Sequence, residues 1–457
     1  MSRGATRVLS EFVCEARLER LPSDLVQIAK LRLIDSIGAM IVGARRPWSQ
    51  AVSRYSTAME QGCGPATVIG SSTRCSPAMA ALANGNMGHA DEIDDAHDEA
   101  LSHLGVVVVP AALAVAEEQG ASGSDLLCAL VVGYELAARA GVAVGATRHM
   151  LRGFYPTGTG CVFGAAAAAA KLLQLDAGTL AYAFGIAGSF ASGIVEYAQS
   201  GGTVKWLHAG RAAEGGVTAA YLARNGLTGP PTVLEGRFGF CNVFSDRPET
   251  DRLLAKLGKD FAIRVITVKP YACCSDIHPV IDALLEIKSS HGVRLEDIQQ
   301  VLVEGPRKLI ELNLLDGTQS IFAAKYSVPL TAGLVFRRDI RDPAIYDETL
   351  LDDEELGAFQ KNVKMTIAQD LDDLYPKVIA ARVTVTVRNG EQWSAESLGA
   401  LGSVHNPLTE EQILEKFRIN VASTHLRAYV DQILDCIGTI ERAPTARGLT
   451  SLLAREA

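Results

Sequence analysis

At 457 residues the chain exceeds what one hydrophobic core ordinarily organises, so two domains are expected. Its 48% hydrophobic and 21% charged residues exclude a disordered chain. A net charge of −9 with no basic tail speaks against a nucleic-acid surface and leaves only local basic pockets.

The opening stretch, "MSRGATRVLSEFVCEARLERL", is an amphipathic, charged helix pattern without the apolar core of a signal peptide. Ala-rich helical runs then dominate to about residue 265, and their small residues suit close helix packing. The most apolar run, 126–145, is interrupted by Glu135 and Arg139, so it reads as a buried helix and no membrane span is expected. The nine cysteines are scattered without a CxxC pair, which argues for reduced thiols, a cytoplasmic protein and no iron–sulfur cluster. After residue 265, "IQQVLVEGP" and "ARVTVTVRNGEQWSAESL" alternate as strands do, and Asn389-Gly390 marks a hairpin. From about residue 400 the pattern is helical again, beginning with the capping-box spacing of Thr409 and Gln412. The expected fold is mainly α: a discontinuous helical domain (1–265 and 400–457) and a smaller α+β domain (266–399).

Four stretches carry candidate chemistry. "GHADEIDDAHDEALSHLG" (88–105) holds His89, His97 and His103 among six carboxylates. Metal ligation is one reading, but no HExxH spacing or glycine-interleaved cation loop is present, so no metal is expected. His103, Asp94 and Asp95 are retained as site residues. "GFYPTGTGC" (153–161) leads into a helix whose first amides lack internal partners. Thr157 and Gly158 would let a carboxylate approach those amides; the alternative is a close helix crossing that needs small residues. In "SGGTVKWLHAGRAA", Thr203 is the expected cap and Lys205 falls in the first turn, where the dipole disfavours its charge; His208 lies one turn on. In "KPYACCSDIHPVIDA", Lys269 and His278 flank a loop, and Cys273-Cys274 read as buried small hydrophobes.

Together with "SHLGVVVVPAALAVAEE", "GIAGSFASGIVE", "LEGRFGF" and "KYSVPL", these motifs run in order from about residue 80 to 330 and resemble the MmgE/PrpD family, that of 2-methylcitrate dehydratase and cis-aconitate decarboxylase. The resemblance implies a homodimer with an α+β lid, a site between domains, and acid–base chemistry on small anionic di- or tricarboxylates without a cofactor. It implies His103, Lys205, Lys269, His278 and Tyr326 as site residues, with Asp94 and Asp95 nearby. Three departures from the family pattern matter: Tyr155 replaces the histidine of "GFHPTG", "EIDDA" replaces "DFDDT" with Glu92 for the first Asp and Ala96 for the Thr, and Ser275 stands where an arginine often follows the cysteine pair.

A tyrosine is an acid about 3.5 pK units weaker than a histidine, which handicaps protonation of a departing hydroxyl. Tyr155 and Lys205 on opposite faces of one carbon would instead suit epimerisation, an activity the family includes as iminodisuccinate epimerase. The expectation is therefore an epimerase with Tyr155, Lys205 and His103 catalytic and Asp94, Asp95, Lys269, His278, Tyr326, Thr157 and Gly158 binding substrate. The alternatives are a hydro-lyase, a decarboxylase, or a non-catalytic carboxylate-binding protein.

Overall fold

The structure, a computed structural model, describes residues 4–60, 62–375 and 377–455. The chain forms two compact units: Met1–Ala90, Asp94–Thr267 and Glu410–Ala457 in the first, Asp91–Ile93 and Val268–Thr409 in the second. Sequence placed the return to the helical unit near residue 400. It comes ten residues later, because the intervening turn is tied to the second unit: Val268 N–H donates to Gly402 O, and Gly402 N–H to Asn406 O.

The first unit is built on α1 (Asp24–Gly43), α2 (Pro77–His89), α3 (Gly105–Gln119), α4 (Gly123–Ala143), α5 (Pro156–Leu172), α6 (Ala177–Phe190) and α7 (Val204–Arg224), joined by the C-terminal helix Glu410–Ala422. A two-residue strand pair, Ala66–Thr67 with Arg74–Cys75, interrupts a stretch that sequence read as almost entirely helical. Small residues set the crossings. A methyl on Gly164 of α5 would lie 2.5 Å from Gly133 O of α4, and one on Gly216 of α7 would lie 2.7 Å from Val162 O of α5. Helix α4 is long and apolar enough to cross a membrane, but 94% of its apolar window is buried in this unit. Its charged pair stays inside the fold, with Arg139 Nε 2.7 Å from Glu135 Oε1 and Arg139 Nη1 donating to Leu253 O and Ala255 O.

The second unit holds a four-stranded sheet: β1 (Ile298–Gly305), β2 (Val363–Ile367), β3 (Ala380–Val387) and β4 (Gln392–Leu398), in the order β2-β1-β3-β4. Strands β1 and β2 are parallel, while β1–β3 and β3–β4 are antiparallel. The β3–β4 hairpin turns at Asn389-Gly390, where Gly390 has φ +91°, as the dipeptide predicts. In β3, Ala381, Val383, Val385 and Val387 alternate inward, and α8 (His278–His291) and α9 (Val328–Arg337) belong to the same unit.

Candidate active site

In the first unit, α2 ends at His89 and α3 begins at Gly105, and the loop between them carries the acidic stretch. His89 Nδ1 lies 2.9 Å from Asp94 Oδ2, and His89 Nε2 lies 2.8 Å from the Tyr155 hydroxyl. His103 Nδ1 lies 3.1 Å from the same Asp94 oxygen and 2.9 Å from Asp95 O. The result is a continuous chain, Tyr155–His89–Asp94–His103. Burial alone would raise Asp94, but the two histidines outweigh it and hold its carboxyl well below the usual range. An ionised carboxylate only accepts, so each Nδ1 carries a proton toward Asp94; in the neutral ring His89 Nε2 then accepts the Tyr155 hydroxyl proton.

Tyr155 caps α5 immediately before Pro156 and is anchored by its amide, which donates to Gly193 O at 3.0 Å. Gly193 has φ +128°, and a methyl there would lie 3.3 Å from the His208 ring and 3.4 Å from Tyr155 Cβ, so glycine permits the close approach. The Tyr155 ring meets Tyr197 edge-on at 5.7 Å and His208 at 5.3 Å. Lys205 is the second residue of α7 and is buried, as its neighbour His208 is in part. Thr203 precedes the helix but makes no side-chain cap.

Three binding residues read from sequence serve other tasks here. Thr157 is fully buried, and its hydroxyl oxygen accepts the His103 amide at 3.1 Å, so it positions His103. Gly158 lies inside α5, where a methyl would collide with Ser192 O, so this glycine serves a close backbone approach. Asp95 has both carboxylate oxygens engaged inside the unit, Oδ1 by the Gly105 amide at 2.8 Å and Oδ2 by the Tyr134 hydroxyl at 2.6 Å. It clamps the start of α3 behind His103.

Two groups of this region titrate in opposite senses. Burial, reinforced by the Lys205 charge, holds His208 down at about 4. Burial, then Asp35, push Asp95 up to about 6. Unfolded, a histidine protonates near 6.5 and an aspartate near 3.9. Acidification from pH 6.5 to 4 therefore weakens the fold through His208, which resists the proton, and strengthens it through Asp95, which takes it up early. Asp95→Asn is expected to lose the second contribution: its unfolding free energy, relative to wild type, falls by about 3 kcal/mol over that range. His208→Gln should show the opposite slope. Urea melts across the range check both, and parallel profiles for all three proteins would refute the assignment.

In the second unit, Lys269 Nζ donates to Glu92 O at 3.2 Å and lies 3.8 Å from Glu92 Oε2. The Tyr326 hydroxyl donates to the same oxygen at 3.4 Å. Lys325, fully enclosed, reaches Asp91 Oδ1 at 3.1 Å, Asp91 O at 2.8 Å and Ala272 O at 3.2 Å, and sits over the Tyr346 ring. His278 opens α8 with its ring edge-on to Tyr271. Burial pushes the Cys273 thiol up to about 12 and the Cys274 thiol to about 11, which suits packing rather than nucleophilic attack.

Sequence reasoning left His89 without a role and took Glu92 only as a departure from a pattern. Six residues of chain, 89–94, divide between the two clusters: His89 and Asp94 serve the first unit, Asp91 and Glu92 the second. Spacing alone does not reveal that division. His89, Asp94 and His103 also offer ligand atoms within 4.8 Å of one another, close enough for a metal ion; the hydrogen-bonded reading instead places a proton on each Nδ1.

Known proteins match this chain along nearly its whole length. It is 29% identical to a cis-aconitate decarboxylase-like protein of Aspergillus oryzae, over 99% of this chain and 97% of that one. It is 28% identical to cis-aconitate decarboxylase of Aspergillus terreus (98% and 96% covered) and 25% identical to that of Homo sapiens (99% and 95%). The MmgE/PrpD N-terminal domain matches residues 7–253 and the MmgE/PrpD C-terminal domain residues 271–436, so the chain belongs to the MmgE/PrpD family.

Proposed function

We propose that this protein moves a proton at a carbon α to a carboxylate of a small di- or tricarboxylate, with Tyr155 as the proton-carrying group. The observation that carries this reading is the Tyr155–His89–Asp94 chain. An isolated tyrosine surrenders its proton at pH 7 at a cost of about 4 kcal/mol. Here His89 accepts that proton as it leaves, and Asp94 stabilises the imidazolium that forms, the logic of a nucleophile–histidine–aspartate triad applied to a phenol. The same chain runs in reverse, so Tyr155 serves as acid or base. Lys205 and Lys269 are the cations proposed to hold substrate carboxylates and developing negative charge.

Decarboxylation is the first reading, favoured by full-length similarity to proteins named cis-aconitate decarboxylases. The bond to a carboxylate breaks, CO2 leaves, and the electron pair left on carbon takes a proton from Tyr155 or His103. Epimerisation is the second reading, favoured by Tyr155 itself: backed by His89 it is a competent base, and no departing hydroxyl needs an acid. His89 thereby offsets the cost of using a tyrosine as a base.

NMR of di- and tricarboxylates incubated with the protein in D2O tests both. Decarboxylation yields CO2 and a product carrying one deuterium; epimerisation places deuterium α to a carboxylate with no loss of CO2 or water. Tight binding without exchange or product would overturn the proposal in favour of a binding protein. Dialysis against a strong chelator should leave the rate unchanged, and recovery only on adding a divalent metal would assign His89, Asp94 and His103 to an ion instead.

A further inference from the structure

Three histidines of the first unit form one cluster with Tyr155, and two of them are held by hydrogen bonds: His89 through both ring nitrogens and His103 through Nδ1. His208 is different. Neither of its ring nitrogens has a hydrogen-bond partner among the described residues, and Nδ1 is enclosed while Nε2 is not. The ring is nonetheless firmly placed, 5.3 Å from the Tyr155 ring and 5.9 Å from the Tyr197 ring. It lies one turn after Lys205 on α7, on the same helix face. An imidazole held this closely yet bonded to nothing calls for an explanation. Burial decides which nitrogen carries its proton. An enclosed N–H without an acceptor is rarer and costlier than an enclosed lone pair, so the proton is assigned to Nε2.

We propose that His208 is a further catalytic residue: its Nε2–H donates a hydrogen bond to the substrate oxygen on which negative charge collects when a bond at the α-carbon breaks. Both reactions considered above leave an electron pair on carbon, whether the bond broken is to hydrogen or to CO2. That pair spreads onto a neighbouring carboxylate oxygen, and a donor already in place stabilises it without surrendering its own proton. Tyr155 moves the proton; His208 moves none. Burial and the Lys205 charge keep the His208 ring uncharged across the neutral range, so it acts as a dipole and leaves the carboxylate's charge to Lys205. The inference rests on the carbanion common to both readings of the function and not on the choice between them.

Two measurements test it. The first is turnover of cis-aconitate and iminodisuccinate by wild type, His208→Phe and His208→Gln. Phenylalanine keeps a ring against Tyr155 and Tyr197 and removes the donor; glutamine gives up the ring and keeps an N–H near the Nε2 position. His208→Phe is expected to lower kcat about a hundredfold or more with KM within about threefold, as loss of one oxyanion donor does, and His208→Gln to recover roughly tenfold of it. A packing role predicts the reverse order. Near-normal kcat in His208→Phe, or His208→Gln no faster than His208→Phe, overturns the inference while leaving the functional reading intact. The second is nitrogen NMR of wild type labelled at histidine, with the His208 signals identified by their loss in either variant. The uncharged Nε2–H form is expected from about pH 6 to 8, with an Nε2 signal that shifts saturably on adding tricarballylate. The Nδ1–H form, or an Nε2 signal that stays put while tricarballylate binds, overturns the inference even where one variant folds poorly. A wild type that neither turns over the two compounds nor binds tricarballylate overturns both the inference and the functional reading.

Discussion

Replacing His89 by glutamine is expected to lower kcat about a thousandfold while KM stays within about threefold. In the proposed relay the imidazole takes the Tyr155 proton across 2.8 Å while its Nδ1–H stays hydrogen-bonded to Asp94 at 2.9 Å; glutamine fills similar space but accepts no proton near neutrality. Acid–base groups of this kind contribute roughly 10²–10⁴ in rate. Tyr155→Phe should lose a comparable factor, and the double variant scarcely more than either alone, because the two residues act as one unit. The pH profile adds a signature that a structural role lacks: the limb belonging to the Tyr155–His89 pair should vanish in His89→Gln. Near-normal turnover in either single variant, or fully multiplicative losses in the double, would remove the relay from the mechanism.

Replacing Lys325 by methionine is expected to destabilise the second unit by about 3–5 kcal/mol, because one member of a buried ion pair is removed and the other is left behind. Lys325 and Asp91 are both fully buried, and Lys325 also serves Ala272 O. For a unit of this size that corresponds to a fall of roughly 10 °C in its unfolding temperature. Adding Asp91→Asn to Lys325→Met should recover part of the loss, since the uncompensated charge goes with it. Calorimetry reads both variants, and a shift below about 2 °C in Lys325→Met would mean that water reaches Asp91 when the lysine is gone.

Much of this was legible in the chain. The change from helical to alternating patterning near residue 265 and the Asn389-Gly390 turn announced a mainly α protein with an α+β unit. Lys205 sits in the first turn of its helix, as Gly201-Gly202-Thr203 suggested. The acidic stretch 88–105 stood out in the chain, and the fold divides its members in a way that spacing did not show. Asp94 and Asp95 are chain neighbours, yet one joins two histidines while the other is enclosed with Tyr134 and the Gly105 amide. Neighbouring loop residues point in different directions, and local spacing carries no record of what each meets.

"GFYPTGTGC" makes the same point. Sequence identified the glycines and the tyrosine as unusual and left two readings of the glycines open. At Gly158 the fold favours close approach, because a methyl there would collide with Ser192 O, whereas Gly153 has open space and φ +96°. Composition and periodicity determined the helices and the strands, since those depend on local propensity and on which face is apolar. Tertiary structure alone decided that Tyr155 meets a histidine 66 residues earlier and that Glu92 meets Lys269, 177 residues later. Those pairings depend on how distant segments pack, and a one-dimensional pattern does not encode that distance.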